Sequence, residues 1–198
     1  MTEDTYQWPE EATEVTGDAK PEAKAQNGNW VGGLFREIVS TVLPAVLIAV
    51  LMHLFLAQSS VVYGESMQPN FFTDQRLIVE KFSYHLHPPQ RGDVVILHDP
   101  DGGVLPLIKR VVGLPGERVT VADGQVYIDG AALDEPYLDE PTDGPSRSWT
   151  IAPFHVFVMG DNRNNSRDSR YFGAVSLDSI MGHAVFRYWP LNELGLPR

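Results

Sequence analysis

Two hydrophobic patterns divide the chain. Residues Ile38 to Ala57 form a 20-residue stretch without a formal charge, rich in Val, Leu, Ile and Ala, which a helix would extend over about 30 Å. From Val61 onward, short apolar runs alternate with Gly, Pro and Asp, and the helical period is poor. The first pattern predicts a membrane-spanning helix over residues 36–58, and the second predicts a β-rich domain over residues 59–198.

The second region contains seven runs with the length and composition of strands. The best-supported pair is the hairpin 118–121 with 125–128, in which apolar positions alternate on both sides of an Asp123-Gly124 turn. A second hairpin tip is expected at Asp129-Gly130. We therefore expect a mainly β fold, a compact antiparallel and barrel-like sheet preceded by a single transmembrane helix. The predicted strands are Arg76–Phe82, Asp93–His98, Leu107–Val112, Arg118–Val121, Gln125–Ile128, His155–Met159 and His183–Trp189.

Two other interpretations of the apolar span compete with a retained anchor. A cleavable secretory signal usually has an apolar region of about 7 to 15 residues close to the N-terminus. This span is longer and begins near position 38. A buried soluble helix is the other alternative, and Pro44 and His53 make the span less than ideal for a membrane. Both residues are tolerated in spanning helices, Pro44 as a kink and His53 near an end.

The segment before the span is polar and acidic. Its carboxylates are Glu3, Asp4, Glu10, Glu11, Glu14, Asp18 and Glu22. We interpret residues 1–35 as a disordered tail. Lys20, Lys24 and Arg36 precede the span, whereas Gln58 to Gln75 contains no Lys or Arg. The positive-inside bias therefore predicts a cytoplasmic tail, with the β domain outside the cytoplasm on a single-pass protein of the plasma or inner membrane.

The overall charge and composition exclude several kinds of function. The formal net charge is -11, which argues against a nucleic-acid partner because phosphate binding needs clustered Lys and Arg. The chain has no cysteine, so it has no disulfide, thiolate nucleophile or Cys-based zinc site. His85, His87 and His155 have no convincing partners for a metal site or a Ser-His-Asp triad. We expect no metal and no cofactor. The acidic, Pro-rich stretch from Leu133 to Ser148 is interpreted as a loop.

Three polar features could carry chemistry. Ser66 follows Gly64 and precedes Pro69, so a turn presents its hydroxyl; most such serines are structural turn residues. Lys109 lies in an apolar strand, where a lysine usually faces solvent. If Lys109 is buried, loss of hydration lowers its pKa towards neutrality and makes it a general base for a serine. The third feature is the run 160–170, a dense set of short polar side chains that is either a surface loop or a rigid support.

Four segments in this order resemble the signature segments of bacterial type I signal peptidases, serine peptidases with a Ser/Lys dyad. The resemblance extends from the anchor to about Asn192 and leaves only the tail unaccounted for. The segments are Ser66-Met67-Gln68-Pro69, Arg91-Gly92-Asp93-Val94-Val95, Lys109-Arg110-Val111-Val112-Gly113-Leu114-Pro115-Gly116-Glu117 and the run from Gly160-Asp161-Asn162-Arg163 through Ser166 to Arg170.

The resemblance implies a membrane-bound endopeptidase that removes signal peptides from exported preproteins through an acyl-enzyme. Ser66 would be the nucleophile and Lys109 the general base. Supporting roles fall on Ser166, which would hydrogen-bond the lysine amine, on Asp161, and on an ion pair of Asp168 with Arg170. Arg110 is a candidate third member of that pair.

The resemblance also implies features of the substrate site. Cutting would follow small residues, as in Ala-x-Ala sequences, and Val62 and Ile108 are candidates for the groove lining; ordinary core packing explains them equally well. Some members carry a serine where this chain has Gly64, so the oxyanion would be held by main-chain N–H groups. Only 42 residues separate Glu117 from Gly160, too few for the accessory domain of larger members.

Two further classes of function remain alternatives. Self-cleaving regulatory switches use a similar Ser/Lys pair but carry a DNA-binding domain, in whose place this chain has an acidic tail and an apolar span. A catalytically inactive, membrane-anchored binding module would not need Ser66, Lys109 and Ser166, which are all present. We expect preproteins and membrane lipid as partners and a monomer as the oligomeric state.

Overall fold

The structure is a computed structural model that describes residues 30–55 and 57–196. The acidic tail expected over residues 1–35 lies outside the described residues as far as position 29. The chain divides into two units, residues 1–43 and 44–198.

The apolar span forms one helix, α1 (Trp30–Phe55), with Pro44 inside it. Within it, Gly32–Val50 has a mean hydropathy of 1.8, and none of this stretch is buried in the protein. The helix begins at Trp30 and ends at Phe55, whereas the anchor was predicted over residues 36–58. Residues 30–35, expected in the tail, are helical, because the charges of Arg36 and Glu37 do not interrupt a helix. Gln58, expected in the anchor, pairs with Val79 in a sheet.

The remainder of the described chain is mainly β, as predicted, with every strand pair antiparallel. One sheet has seven strands in the order β1-β2-β11-β3-β4-β9-β10, and the other has four in the order β7-β6-β5-β8. The strands are β1 (Ala57–Val61), β2 (Arg76–Glu80), β3 (Val94–Leu97), β4 (Leu107–Gly113), β5 (Arg118–Ala122), β6 (Gln125–Ile128), β7 (Ala131–Ala132), β8 (Arg147–Thr150), β9 (His155–Met159), β10 (Val175–Ser176) and β11 (Ile180–Trp189). Two one-turn helices are α2 (Ser83–Leu86) and α3 (Ser169–Phe172).

The turn chemistry of the smaller sheet agrees with the sequence. Asp123-Gly124 joins β5 to β6 and Asp129-Gly130 joins β6 to β7, and all four residues have positive φ. This is the backbone of a tight hairpin turn, which Asp-Gly favours because Gly has no Cβ to clash. The predicted loop 133–148 is wrong at its end, because Arg147 and Ser148 begin β8.

The strand β4 positions the functional residues. It lies between β3 and β9, and every residue from Ile108 to Gly113 is buried. Successive side chains of a strand point to opposite faces. Because apolar clusters cover both faces, the neighbouring Lys109 and Arg110 are both only 3% exposed.

Candidate active site

Ser66 and Lys109 are in hydrogen-bond contact. The Nζ atom of Lys109 lies 2.6 Å from the Oγ atom of Ser66. Lys109 is held on β4 by pairing with Val95, whereas Ser66 lies 43 residues earlier, in the turn between β1 and β2. The fold therefore brings together the two residues that the sequence nominates for catalysis, with Ser66 half-buried and Lys109 almost fully buried.

The turn that carries Ser66 is anchored by its apolar neighbours. Met67 and Phe71 are each 1% exposed, and the Phe71 N–H donates to the Met67 carbonyl. Gly64 has a φ of +84°, a backbone conformation that favours glycine. No atom lies within 4 Å of a Cβ at that position, so space alone would not exclude a side chain there. Its carbonyl accepts a hydrogen bond from Thr73 Oγ1. Gly64 thus shapes the backbone of the turn and brings no side-chain donor to it.

Burial lowers the pKa of Lys109 to about 8. Loss of hydration is the largest cause, because a buried ammonium has no water to stabilise its charge. The carboxylates of Asp168 and Asp161 oppose this shift, and the guanidinium groups of Arg167 and Arg170 add to it. The neutral amine is therefore accessible near neutral pH, as general-base chemistry requires.

The polar run from Gly160 to Arg170 packs against the Ser66 turn. The Asn162 N–H donates to the Ser66 carbonyl at 3.0 Å, and Asn162 Nδ2 donates to the Glu65 carbonyl at 3.1 Å. A Cβ at position 160 would lie 2.4 Å from the Ser66 carbonyl oxygen. Only glycine permits this close approach, so the run supports the nucleophile directly.

Asp168 and Arg170 form the predicted ion pair. Asp168 is fully buried and accepts from Arg170 Nε at 2.9 Å. It also accepts from the Gly160 N–H at 3.0 Å, and Arg170 donates to the carbonyl of Arg163 at 2.5 Å. The pair therefore fastens both ends of the polar run together.

Arg110 pairs with Asp161, and this corrects its expected place beside Asp168. Two parallel bonds of 2.8 and 2.6 Å join its Nε and Nη2 atoms to the Asp161 carboxylate, and both side chains are at most 3% exposed. Asn70 donates to the same carboxylate at 2.9 Å. The Arg110 guanidinium lies 4.1 Å from the centre of the Tyr137 ring. β4 points Arg110 away from the Lys109 face, which explains the different partner.

Ser166 does not make the hydrogen bond with Lys109 that the resemblance implied. Its hydroxyl is buried and has no hydrogen-bond partner among the described residues. A Cβ at Gly160 would lie 2.2 Å from this hydroxyl oxygen, so the serine is packed against that backbone. The structure thus places Ser166 beside the site with an unused hydroxyl.

Arg163 and Glu135 form a third ion pair, which is buried and which the sequence did not reveal. Their side chains are 1% and 7% exposed, and bonds of 2.5 and 2.9 Å join them. Arg163 also donates to Thr142 Oγ1 at 3.0 Å. Glu135 is one of many carboxylates in the acidic connection, so nothing in the local pattern distinguishes it. The pair fixes that connection onto the polar run.

Val62 and Ile108 are core residues that also reach a cleft. They are 2% and 8% exposed and belong to one apolar cluster. Both line a small cleft of about 20 Å³, together with Tyr63, Pro106 and Leu107 among others. Among the side chains that the structure describes, no three His, Asp or Glu residues are grouped to hold a metal ion.

Comparisons with known proteins identify the family of this chain. The profile of the signal peptidase family, peptidase S26, matches residues 35–189. Probable signal peptidase I-1 of Synechocystis sp. is 41% identical over 81% of this chain and 85% of its own length. Signal peptidase I of Leptolyngbya laminosa is 41% identical over 80% and 82%. A crystal structure of signal peptidase I from Enterococcus faecalis is 35% identical, covers 49% of this chain and 97% of that chain, and gives a TM-score of 0.45. The chain belongs to the signal peptidase family, peptidase S26.

Proposed function

We propose that this protein is a membrane-anchored signal peptidase I that removes signal peptides from exported preproteins, with Ser66 as nucleophile and Lys109 as general base. The observation that carries the proposal is the 2.6 Å contact between the Ser66 hydroxyl and a lysine amine that is only 3% exposed. A buried amine beside a hydroxyl in a turn has the arrangement of an activated nucleophile. Family membership supplies the reaction class, hydrolysis of a peptide bond.

The first half of the reaction makes an ester. Neutral Lys109 accepts the proton from Ser66 Oγ as that oxygen attacks the scissile carbonyl carbon. The negative charge that develops on the carbonyl oxygen is stabilised by main-chain N–H groups of the Ser66 turn. The tetrahedral intermediate then collapses, the C–N bond breaks, and the Lys109 ammonium returns the proton to the departing amine. The signal peptide remains esterified to Ser66.

The second half releases the signal peptide. Lys109, again neutral, accepts a proton from water as the water oxygen attacks the ester carbonyl. The C–O bond to Ser66 breaks and Oγ regains a proton from the lysine. Asp161 with Arg110 and Asp168 with Arg170 serve this cycle by holding the polar run against the nucleophile.

The cleft between Val62 and Ile108 supports specificity for small residues. The cleft is small, at about 20 Å³, and Val62, Leu77 and Ile108 in its lining are apolar and buried. Alanine before the scissile bond would fit there, whereas a branched side chain would clash with packed core atoms.

The location follows from the N-terminal helix. Its stretch Gly32–Val50 is long and apolar enough to cross a bilayer, and we propose that the helix is a retained single-pass anchor in the plasma or inner membrane. The basic residues before the span favour a cytoplasmic tail and a catalytic domain on the other side. We further propose that the protein acts as a monomer in contact with lipid.

The test is cleavage by the full chain in lipid vesicles. A precursor with an Ala-x-Ala site is compared with precursors that carry Val or Leu at the residue before the bond, and the Ser66→Ala variant serves as the blank. We expect cleavage of the alanine precursor alone. Equal cleavage of all three precursors would refute the specificity, and no cleavage of any by folded wild type would refute the peptidase proposal.

A further inference from the structure

A cluster of three charges joins the connection before β4 to the polar run. We name it the Arg167 clamp; it consists of Arg167, Asp99 and Asp101. The Nη1 atom of Arg167 lies 3.3 and 3.2 Å from the two carboxylate oxygens of Asp99, and Nη2 lies 3.2 Å from one of them. Nη2 also donates to the carboxylate of Asp101. One guanidinium therefore holds two carboxylates of the same connection.

The two ends of the clamp lead to different parts of the site. Arg167 lies between Ser166 and Asp168, which are both buried beside the nucleophile turn. The connection that carries Asp99 continues to Pro106, where the wall of the small cleft begins, and Lys109 follows three residues later. The clamp thus links one wall of the cleft to the run that supports Ser66.

The Arg167 clamp differs from an ordinary surface ion pair in the exposure of its members. The Asp99 side chain is only 11% exposed, although that of Arg167 is 46% exposed. A guanidinium that bonds both oxygens of one carboxylate has more geometric specificity than a single exposed ion pair. The tip of the connection needs such a restraint, because Val104 is 98% exposed and Leu105 is 58% exposed.

Gly103 lies against the Asp99 side chain of the Arg167 clamp. A Cβ at this position would lie 2.3 Å from Oδ2 of Asp99 and 3.0 Å from its Cγ atom. Alanine here would force the Asp99 carboxylate to shift from its present position without removing any charge. The chain therefore offers a variant that changes the geometry of the clamp alone.

We propose that Arg167 is a positioning residue for peptide cleavage: the Arg167 clamp fixes the cleft wall at Pro106, just before β4, and so limits which side chain is accepted before the scissile bond. The proposal rests on the proposed function, since it assigns a specificity device to that site. If the clamp opens, the wall is held only from β4 onward. The cleft then admits larger side chains and holds alanine less tightly.

The charge of Arg167 gives a second, separable effect. Its guanidinium is one of the groups that lower the pKa of Lys109. Removing it should move the acidic limb of the pH profile to higher pH. Gly103→Ala keeps all three charges, so it should loosen specificity without moving that limb.

The experiment measures kcat/KM of the full chain in vesicles for precursors with Ala or Val before the bond. We expect Arg167→Ala and Gly103→Ala to reduce the preference for Ala by about fivefold or more, chiefly through KM, and Arg167→Lys to restore part of it. Arg118→Ala, which removes an exposed arginine of β5 in the other sheet, is the matched control. An unchanged preference in both test variants, with wild type active, would overturn the proposal even if their thermal stability fell.

A second measurement does not depend on turnover. Amide hydrogen exchange of residues 99–106 is followed in the Ser66→Ala background, with and without Arg167→Ala or Gly103→Ala. We expect faster exchange in both variants. Unchanged exchange would show that the clamp restrains nothing. Failure of wild type to cleave any precursor would instead count against the proposed function, and the exchange result would still decide whether the clamp exists.

Discussion

Gly160 lies so close to Ser66 that a Cβ on it would come within 2.4 Å of the Ser66 carbonyl oxygen. The Ser66 carbonyl oxygen belongs to the backbone, so it cannot move away by a change of side-chain rotamer. Misplacing a nucleophile by about 1 Å costs on the order of 100-fold in rate. We therefore expect Gly160→Ala to lower the cleavage rate at least tenfold and to reduce the free energy of unfolding by about 1–3 kcal/mol.

The control for this prediction is Gly195→Ala, because nothing lies within 4 Å of a Cβ at that position. Rates are compared at equal amounts of folded protein in vesicles. Normal cleavage by Gly160→Ala would mean that the polar run does not set the position of Ser66.

The pH dependence of cleavage follows from the buried lysine. The pKa of Lys109 is lowered to about 8, mainly by loss of hydration. Only the neutral amine accepts the serine proton, so kcat/KM should rise about tenfold per pH unit below the pKa and level off above it. The profile is measured with an Ala-x-Ala precursor between pH 6 and 10. A rate that is already maximal at pH 6 would exclude Lys109 as the base.

The same burial has a cost in stability. Below pH about 8, Lys109 is protonated in the folded and unfolded states, and the lowered pKa corresponds to about 3 kcal/mol of destabilisation. Between pH about 8 and 10.5 the unfolded state binds more protons than the folded state, so this cost declines as pH rises. Lys109→Met should therefore raise the free energy of unfolding by about 1–3 kcal/mol at pH 7.

Thermal unfolding of the full chain in detergent at pH 7 and pH 10 checks this linkage. The advantage of Lys109→Met should shrink at the higher pH. A lysine variant that is less stable than wild type at pH 7 would indicate that the amine is better compensated by Asp168 and Asp161 than its lowered pKa implies.

The Arg110–Asp161 pair should be essential for stability. Both side chains are at most 3% exposed, and breaking a buried pair leaves one uncompensated charge, which costs about 3–5 kcal/mol. We expect this loss for Asp161→Asn and much less than 1 kcal/mol for Asp178→Asn, an exposed aspartate. Equal stabilities of the two variants in the same unfolding assay would contradict a structural role for the pair.

Removal of the Ser166 hydroxyl should affect cleavage but not the stability of the fold. Because its hydroxyl has no partner among the described residues, Ser166→Ala should leave the free energy of unfolding within about 0.5 kcal/mol of wild type. We propose that the hydroxyl bonds Lys109 during the reaction, so cleavage should fall about tenfold or more. Full activity of Ser166→Ala would remove this residue from the mechanism.

Much of the fold was predictable because its signals are local. The Asp-Gly turns and the alternating apolar residues around them specify the β5–β6–β7 meander, and apolar runs mark β3, β4 and β9. The strands β1 and β8 were missed, because Gln58-Ser59-Ser60 and Arg147-Ser148 carry no alternation of their own. The strand β10 was also missed, because two residues are too few to form a pattern. β8 is held by long-range contacts, including packing of the Trp149 ring 5.0 Å from that of Phe157.

In the site, too, the residues marked by their sequence neighbours were predictable, whereas partners distant in sequence were not. Ser66 and Lys109 were nominated by their neighbours in sequence and by the family resemblance. The partners of Arg110 and Arg163 depend on contacts 51 and 28 residues away, and neither distance is encoded by a motif. The burial of Lys109 arises from apolar clusters that cover both faces of β4.

The most direct test of the account is a double-mutant cycle on Ser66 and Lys109. Cleavage of an Ala-x-Ala precursor is measured for wild type, Ser66→Ala, Lys109→Ala and the double variant, each as folded full-length protein in vesicles. If the two residues act as one unit, each single variant should lose about 1,000-fold or more in kcat/KM and the double variant should lose no more than either. Additive losses, or near-normal cleavage by either single variant, would contradict the Ser/Lys dyad.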